Sequence, residues 1–170
     1  GEVNFPAFEQ ALKGFSRYAS GQDRLLVLID YTKPSTEKRF YILDLLQKKL
    51  LLSTYVAHGR GSGDNYAVAF SNRPGSYQSS LGFFRTGDTY MGKNGYSLFL
   101  DGLEKGINDK ARERAIVVHG ANYADPAVLK GQQRLGRSLG CPALPPDISK
   151  QVIDTIKGGV LLYIYGLNKA

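Results

Sequence analysis

Short runs of β-branched and aromatic residues, separated by glycine-containing turns, restrict the fold of this chain more than any other feature. The 170 residues include 20 glycines, well above the usual share of about 7%. Apolar runs bounded by turn residues predict strands. The predicted strands are Leu25–Tyr31, Arg39–Leu43, Leu50–Ala57, Ala67–Phe70, Leu81–Arg85, Tyr96–Leu100, Ala115–His119 and Val160–Tyr165. Asn94-Gly95 predicts a hairpin turn between two of them.

Two segments have helical periodicity instead. The first places Phe8, Leu12, Phe15 and Ala19 on one face, with Pro6 near its start. The second follows Pro145-Pro146, has an apolar face and ends near a glycine that suits a C-terminal cap. Its face residues are Ile148, Val152, Ile153 and Ile156, and the glycine is Gly158. We predict one mainly β domain over residues 1–170, a mixed-sheet or sandwich-like fold with two or three packed helices. We predict that residues 1–24 form its N-terminal helical segment.

Composition excludes several classes of protein. With 42% hydrophobic and 22% charged residues, the chain is not a disordered one. No apolar run reaches the roughly 18 residues that a membrane span needs. A single cysteine, Cys141, excludes an intramolecular disulfide and any multi-cysteine metal site. Since there are only two histidines and no HExxH spacing, we expect no metal and no cofactor.

The net charge of +7 favours a polyanionic partner such as nucleic acid, an anionic membrane or an acidic cell-wall polymer. The basic residues are scattered, and no RNA-binding signature or basic helix accompanies them. We therefore expect no nucleic-acid partner.

Two positions carry the candidate chemistry. Ile116-Val117-Val118-His119-Gly120 predicts a buried strand that ends in histidine, and Cys141 follows that histidine by 22 positions. A cysteine becomes a strong nucleophile as thiolate, and a neighbouring imidazole can take its proton and return it to a leaving amine. Gly140 allows backbone to approach a substrate, and the amides around Cys141 suit an oxyanion. Residues 121–137 predict a structureless lid or substrate wall between the two.

Other interpretations of these residues exist. A lone cysteine is often a small buried hydrophobe, and a histidine at a strand end is often part of the core edge. Among thiol enzymes, papain-like proteases place the cysteine first, and caspases have a different context around it. Sortases use an arginine after the cysteine, whereas residues 142–170 contain none.

His119-Gly120 followed by Ser138-Leu139-Gly140-Cys141 resembles the signature of L,D-transpeptidases with a YkuD-type catalytic domain, in particular the YkuD_2-like murein branch. The resemblance covers about residues 25–166. Further similar segments are Val56–Gly63, Phe70–Ser76, Ser79–Gly82, Tyr90–Gly92, Asn122-Tyr123 and Cys141–Ala143. Two positions depart from the better-known members, which commonly have histidine at the position of Leu139 and arginine or asparagine at that of Ala143.

The resemblance implies a fold, a reaction and a location. Cys141 would attack the carbonyl that follows the L-centre of diaminopimelate in a peptidoglycan tetrapeptide stem, expel D-alanine and leave a thioester. An amine of a second stem would resolve it. His119 would be the base, oriented by a backbone carbonyl. The partners would be donor and acceptor stem peptides in a bacterial cell envelope, periplasmic or secreted, and we expect any export signal to be absent from this chain.

Further candidate residues surround this pair. Gly140, Ser138 and Gly120 are predicted to orient the site or form the oxyanion hole. The predicted substrate-binding residues are His58, Arg60, Ser71, Asn72, Ser79, Ser80, Tyr90, Tyr123 and Arg137. Arginine suits bidentate recognition of a carboxylate. Serine and asparagine beside Pro74-Gly75 are also common turn formers, the tyrosines also suit core packing, and His58 also suits a buried strand end.

Two alternatives to the transferase remain open for this site. Water instead of an amine would give an L,D-carboxypeptidase or another amide hydrolase. A fold that has lost turnover would be a murein-binding module. The sequence does not reveal the oligomeric state.

Overall fold

The computed structural model describes residues 2–18 and 23–169. Its elements in chain order are α1 (Phe5–Tyr18), β1 (Leu25–Asp30), β2 (Phe40–Asp44), β3 (Lys49–Thr54), β4 (Gly82–Gly92), β5 (Gly95–Gly102), β6 (Val117–Gly120), β7 (Ala143–Leu144), α2 (Pro146–Ile156) and β8 (Leu161–Tyr165). Short 3-10 helices occupy Arg60–Ser62, Asn122–Ala124 and Pro126–Lys130.

The eight strands form one mixed sheet in the order β3-β2-β1-β8-β4-β5-β6-β7. The β1–β8 and β6–β7 pairs are parallel and the others are antiparallel. The chain after β3 then reaches the far edge, where Ala57 forms a bridge with Ala143 and Gly59 with Ser138. The sheet therefore almost closes on itself, which confirms the predicted mainly β fold class with packed helices.

Each face of the sheet has its own hydrophobic core. On β1, Val27 and Ile29 point into the main core, which α2 covers, while Leu26 and Leu28 point into a second core with α1. All four side chains are fully buried. A strand with both faces covered explains why this segment is apolar without alternation.

The helix α1 packs through small residues. Ala7, Ala11 and Gly14 are its buried positions, whereas the predicted face residues Phe8 and Leu12 are only partly buried against the second core. The small residues form the centre of the helix–sheet contact, because they let the helix axis approach the sheet. The predicted apolar residues lie beside this contact. Ala19, also predicted on this face, lies outside the described residues.

One predicted strand is wrong, and one short strand was not predicted. Ala67–Phe70 is a loop, because the amides of Val68 and Ala69 donate to Ser62 O at 2.8 and 3.1 Å instead of to a neighbouring strand. Its side chains are nevertheless largely buried, as an apolar run requires. The two residues of β7 lie between prolines and were not predicted, since two residues show no periodicity.

Residues 121–137 are not structureless, which corrects the prediction of a lid. Asp125 caps the second of the two 3-10 helices in this segment by accepting from Ala127 N at 2.9 Å. Gly136 N donates to Tyr123 O at 2.8 Å. Leu135 is fully buried, and its amide donates to Ser35 Oγ at 3.0 Å. These contacts fasten the segment to the sheet as a wall.

Within residues 2–18 and 23–169, no helix has the length and apolar character that a membrane crossing requires.

The close contact between α1 and the sheet predicts that alanine at residue 14 destabilises the protein. A Cβ at Gly14 would overlap Cζ of Phe83, whose ring stacks on Tyr163 at 4.2 Å. Gly14→Ala should destabilise the protein by about 1–3 kcal/mol, although alanine normally favours helix by about 1 kcal/mol. Urea unfolding followed by circular dichroism measures this.

The matched control is Gly131→Ala, where nothing lies within 4 Å of the added Cβ and φ is −116°. We expect a change below about 0.5 kcal/mol there. A Gly14→Ala protein as stable as wild type would contradict the close helix–sheet contact.

Candidate active site

The pairing of β6 with β7 brings the predicted cysteine and histidine to one edge of the sheet. His119 pairs with Ala143 in parallel register, and its amide donates to Pro142 O at 3.4 Å. Cys141 precedes Ala143 by two residues. The two side chains are nearly buried, with exposed fractions of 9% for Cys141 and 3% for His119.

The imidazole of His119 has a defined tautomer. Its Nδ1 lies 2.9 Å from the carbonyl oxygen of Gly120. A carbonyl only accepts, so Nδ1 carries the hydrogen and Nε2 carries the lone pair. Burial lowers the pKa of His119, and the Gly120 bond opposes this only in part. The ring is therefore a neutral base with Nε2 free to take a proton.

The thiol of Cys141 is held by backbone groups. Its Sγ donates to Ala115 O at 3.4 Å and accepts from Val117 N at 3.4 Å. Burial raises the pKa of Cys141, while the Val117 amide and the charge of Arg114 lower it. The net shift is upward, so the resting sulfur is a thiol and needs a base to become nucleophilic.

Ser138 and Gly140 shape the loop of residues 138–142 that carries Cys141, here called the cysteine loop. Ser138 Oγ donates to Cys141 O at 2.6 Å and accepts from Gly140 N at 3.1 Å. Gly140 has φ +128°, and a Cβ there would lie 3.0 Å from Ile116 Cδ1. Only glycine fits this conformation and space. The Gly140 amide is bonded within this loop, as the orienting role among its two predicted roles would require.

His58, which we predicted as a substrate contact, is buried, and both of its ring nitrogens are bonded inside the protein. Its side chain is 1% exposed. Its Nδ1 accepts from Arg39 Nη2 at 2.9 Å, and its Nε2 donates to Gly63 O at 3.2 Å. Burial and the charge of Arg39 lower the pKa of His58 to about 3. Both ring nitrogens are occupied, so none is left for a ligand.

Three of the predicted serines also bond within the protein. Ser79 Oγ accepts from Gly59 N at 2.9 Å. Ser80 Oγ donates to Ser71 O at 2.8 Å, and Ser71 Oγ accepts from Arg73 N at 3.0 Å. These bonds fix the segment of residues 71–80 beside the cysteine loop, which favours the turn-forming interpretation over substrate contact.

Asn72 and Arg137 tie loops together in the same way. Asn72 Nδ2 donates to Asp109 Oδ1 at 2.8 Å. Arg137 Nη1 donates to Asp64 Oδ1 at 3.1 Å and to Gly63 O at 3.3 Å. Both predicted substrate contacts therefore have protein partners in this structure.

The remaining predicted residues lie around the site at different distances. Tyr123 packs on the small cluster that contains Ala143, and burial raises its pKa to about 12. Tyr90 is two strands away and stacks on Phe99 at 4.3 Å. Arg60 is exposed on the rim.

The backbone of Arg60 fixes its place on that rim. Its amide donates to Ser138 O at 2.8 Å, and its guanidinium lies over the Tyr77 ring at 4.5 Å. Of the predicted binding residues, the structure brings Tyr123 and Arg60 to the cysteine loop with their side chains at least partly accessible.

A groove of about 350 Å³ borders the histidine strand. It is lined by Lys93, Asn94, Tyr96, Gly120, Ala121, Asn122, Pro146 and Ser149. A larger apolar cavity of about 530 Å³ lies between α1 and the β2–β3 hairpin, without a catalytic candidate in its lining. Among the described residues, no three His, Cys, Asp or Glu side chains are placed to hold a metal ion.

Sequence reasoning missed Arg114, which lies next to the cysteine loop. No local pattern distinguishes it from the other scattered basic residues, because nothing near it in the sequence signals that residue 114 meets residues 71–80. Tyr31 and Arg39 were missed for the same reason. Arg39 is fully buried, with its guanidinium 4.8 Å from the Tyr31 ring.

The fold and sequence match known proteins. The YkuD_2 model, described as an L,D-transpeptidase catalytic domain, matches residues 1–165. No curated protein matches the chain.

Solved structures resemble the fold at low identity. Pgp2, the helical cell shape determining protein from Campylobacter jejuni, has a TM-score of 0.57 at 16% identity, over 87% of this chain and 50% of that one. The L,D-transpeptidase (Yku) from Stackebrandtia nassauensis has a TM-score of 0.51 at 15% identity, over 91% and 62%. The L,D-transpeptidase from Mycobacterium smegmatis has 0.50 at 13%, over 84% and 59%. The chain thus spans about half to three-fifths of those chains.

The buried His58 ring predicts that the free energy of unfolding decreases at acid pH. An unfolded chain takes up a proton at this ring below about pH 6.5, whereas the folded protein does so only near pH 3. Stability from this group is therefore complete above pH 6.5 and falls as the pH drops towards 3, by up to about 1.4 kcal/mol per pH unit.

Urea unfolding at pH 7 and pH 5 tests this in wild type and His58→Asn, whose amide does not titrate. The wild type should lose more stability than the variant between these pH values. Equal losses in both proteins would show that His58 is not a buried neutral ring.

Proposed function

The chain belongs to the YkuD_2 family of L,D-transpeptidase catalytic domains, and we propose that it is a cysteine acyltransferase that acts on peptidoglycan stem peptides. The observation that carries the proposal is the neutral His119 ring. Its Nδ1–H is bound to Gly120 O, and it sits on the strand that pairs with the cysteine segment.

In the acylation step, Cys141 Sγ forms a bond to the carbonyl carbon that follows the L-centre of diaminopimelate in a tetrapeptide stem. The thiol proton passes to His119 Nε2. The C–N bond to the terminal D-alanine then breaks, and the imidazolium returns the proton to the leaving amine. The product is a thioester on Cys141 and free D-alanine.

In the second step, an amine of another stem attacks the thioester carbonyl. His119 Nε2 accepts the proton of that amine, and the sulfur leaves and is reprotonated. A new amide cross-links the two stems. Both steps need a base that is neutral when each begins, and burial provides this by lowering the pKa of His119.

We place one stem peptide in the groove beside Gly120. The groove runs from Lys93 to Ser149, and the ammonium of Lys93 suits a stem carboxylate. Ala121 and Asn122 line this groove, so the segment of residues 121–137, which continues through Tyr123, forms its substrate wall. The substrate in turn places the protein in a bacterial cell envelope, periplasmic or secreted.

Acylation by a carbapenem, a typical inhibitor of this family, tests the nucleophile and the base. Intact mass spectrometry should find one adduct on wild type and none on Cys141→Ala. His119→Gln should acylate at least about 100-fold more slowly, because the base is lost. Leu46→Ala, an exposed residue in the β2–β3 turn, is the control and should acylate at the wild-type rate. An adduct on Cys141→Ala would refute the assignment.

Product analysis distinguishes transfer from hydrolysis. With a tetrapeptide stem and an amine acceptor, we expect D-alanine and a cross-linked product by liquid chromatography and mass spectrometry. Tripeptide as the sole product would indicate an L,D-carboxypeptidase or another amide hydrolase. Binding of the stem without release of D-alanine would indicate a murein-binding domain, and both outcomes would contradict the transferase.

A further inference from the structure

Arg114 is a half-buried cation that is bound only by neutral groups. Its Nη1 donates to Ser71 O at 2.9 Å and to Ser80 Oγ at 2.7 Å. Its Nη2 donates to Gln78 O at 2.7 Å and to Ser76 Oγ at 3.2 Å. All four Nη hydrogens are thus engaged, and the guanidinium is fixed in position.

The positive charge of Arg114 is not neutralised by a carboxylate. Within residues 2–18 and 23–169, the ion pairs do not include this side chain. Arg112, two positions earlier, is by contrast paired with Asp101 at 2.9 Å. A desolvated charge without a counter-ion costs free energy, so retaining it needs a compensating role.

The cysteine loop lies beside this guanidinium. A Cβ built on Gly140, the residue before Cys141, would lie 3.5 Å from Arg114 Nη2. The residue after Arg114 is Ala115, whose carbonyl accepts from Cys141 Sγ at 3.4 Å. Ala115 has φ +57°, a strained conformation for alanine. One short turn therefore holds both the cation and the thiol acceptor.

We propose that Arg114 is a positioning residue whose fixed charge stabilises the thiolate of Cys141 when His119 removes the proton. This inference rests on the proposed function, in which that thiolate attacks the stem peptide. The guanidinium forms no covalent bond, and its Nη hydrogens are occupied, so it does not serve as a bidentate clamp for a substrate carboxylate. It supplies a positive potential at the sulfur and braces residues 71–80 against the cysteine loop.

The other titratable groups around the thiol differ in their effect on the pKa of Cys141. Lys93, on the β4–β5 turn, also lowers the pKa of Cys141. Tyr31 and Tyr123 interact with the charge of Cys141 and are held neutral by burial, which raises the pKa of each to about 12. His119 is the neutral base. Arg114 differs from Lys93 because its charge is half-buried and clamped, so solvent screens it less.

The test is the pH dependence of Cys141 alkylation by iodoacetamide, a neutral reagent, followed by intact mass. Cys141 is the single cysteine in the chain, so every adduct reports on this sulfur. In Arg114→Met, the midpoint of the rate profile should rise by about one pH unit. Arg114→Lys keeps the charge but loses the four Nη hydrogen bonds. In this variant the midpoint should rise by less than half as much. Arg112→Met is the matched control and should follow wild type.

Two results would overturn the inference. One is an unchanged midpoint in Arg114→Met, and the other is an equal shift in Arg114→Lys and Arg114→Met, which would indicate a purely structural role. Arg114→Gln, which can still bond to neutral acceptors, provides a second neutral variant if the methionine variant fails to fold. Because alkylation needs no peptidoglycan, these outcomes are separate from a wild-type protein that alkylates normally but fails to process stem peptides.

Discussion

The cysteine loop is clamped between two segments that are distant in the order of the sheet. On one side, β7 pairs with β6. On the other side, the chain after β3 bridges to Ala143 and Ser138 through Ala57 and Gly59. A Cβ on Gly59 would lie 2.9 Å from Gly140 Cα, so the two backbones meet almost in contact. The buried hydrogen bond between Arg39 and His58 and the hydrogen bond from Gly59 N to Ser79 Oγ stabilise this close contact of the two backbones.

This clamp also determines the electrostatics of the site. It buries both Cys141 and His119, and burial disfavours the charged form of each. The resting pair is therefore a neutral thiol and a neutral imidazole, and charge develops only when the proton moves. The half-buried Arg114 and the Gly120 carbonyl are fixed before that moment, so little reorganisation is needed when the ions form.

Local patterns predicted most strands and both helices, because periodicity and turn residues report on local geometry. Apolar spacing alone predicted the core strands around Val27 and Val118 and the buried face of α2. The failures occurred where backbone donors found partners outside any strand pairing. Residues 67–70 bond to Ser62 instead of a strand, and the segment of residues 121–137 is ordered by contacts such as that of Leu135 with Ser35.

The sequence by itself determined the chemistry that is available: one thiol, two imidazoles, the glycine at residue 140 and a family signature around them. The tertiary structure alone decided that the two histidines have different surroundings. His119 and His58 both end apolar runs, but one has a free Nε2 and the other has both nitrogens bonded. It also decided that Arg114 lies by the cysteine loop while Arg112 pairs with Asp101 in solvent. Such differences arise from contacts between distant segments, which local sequence patterns do not encode.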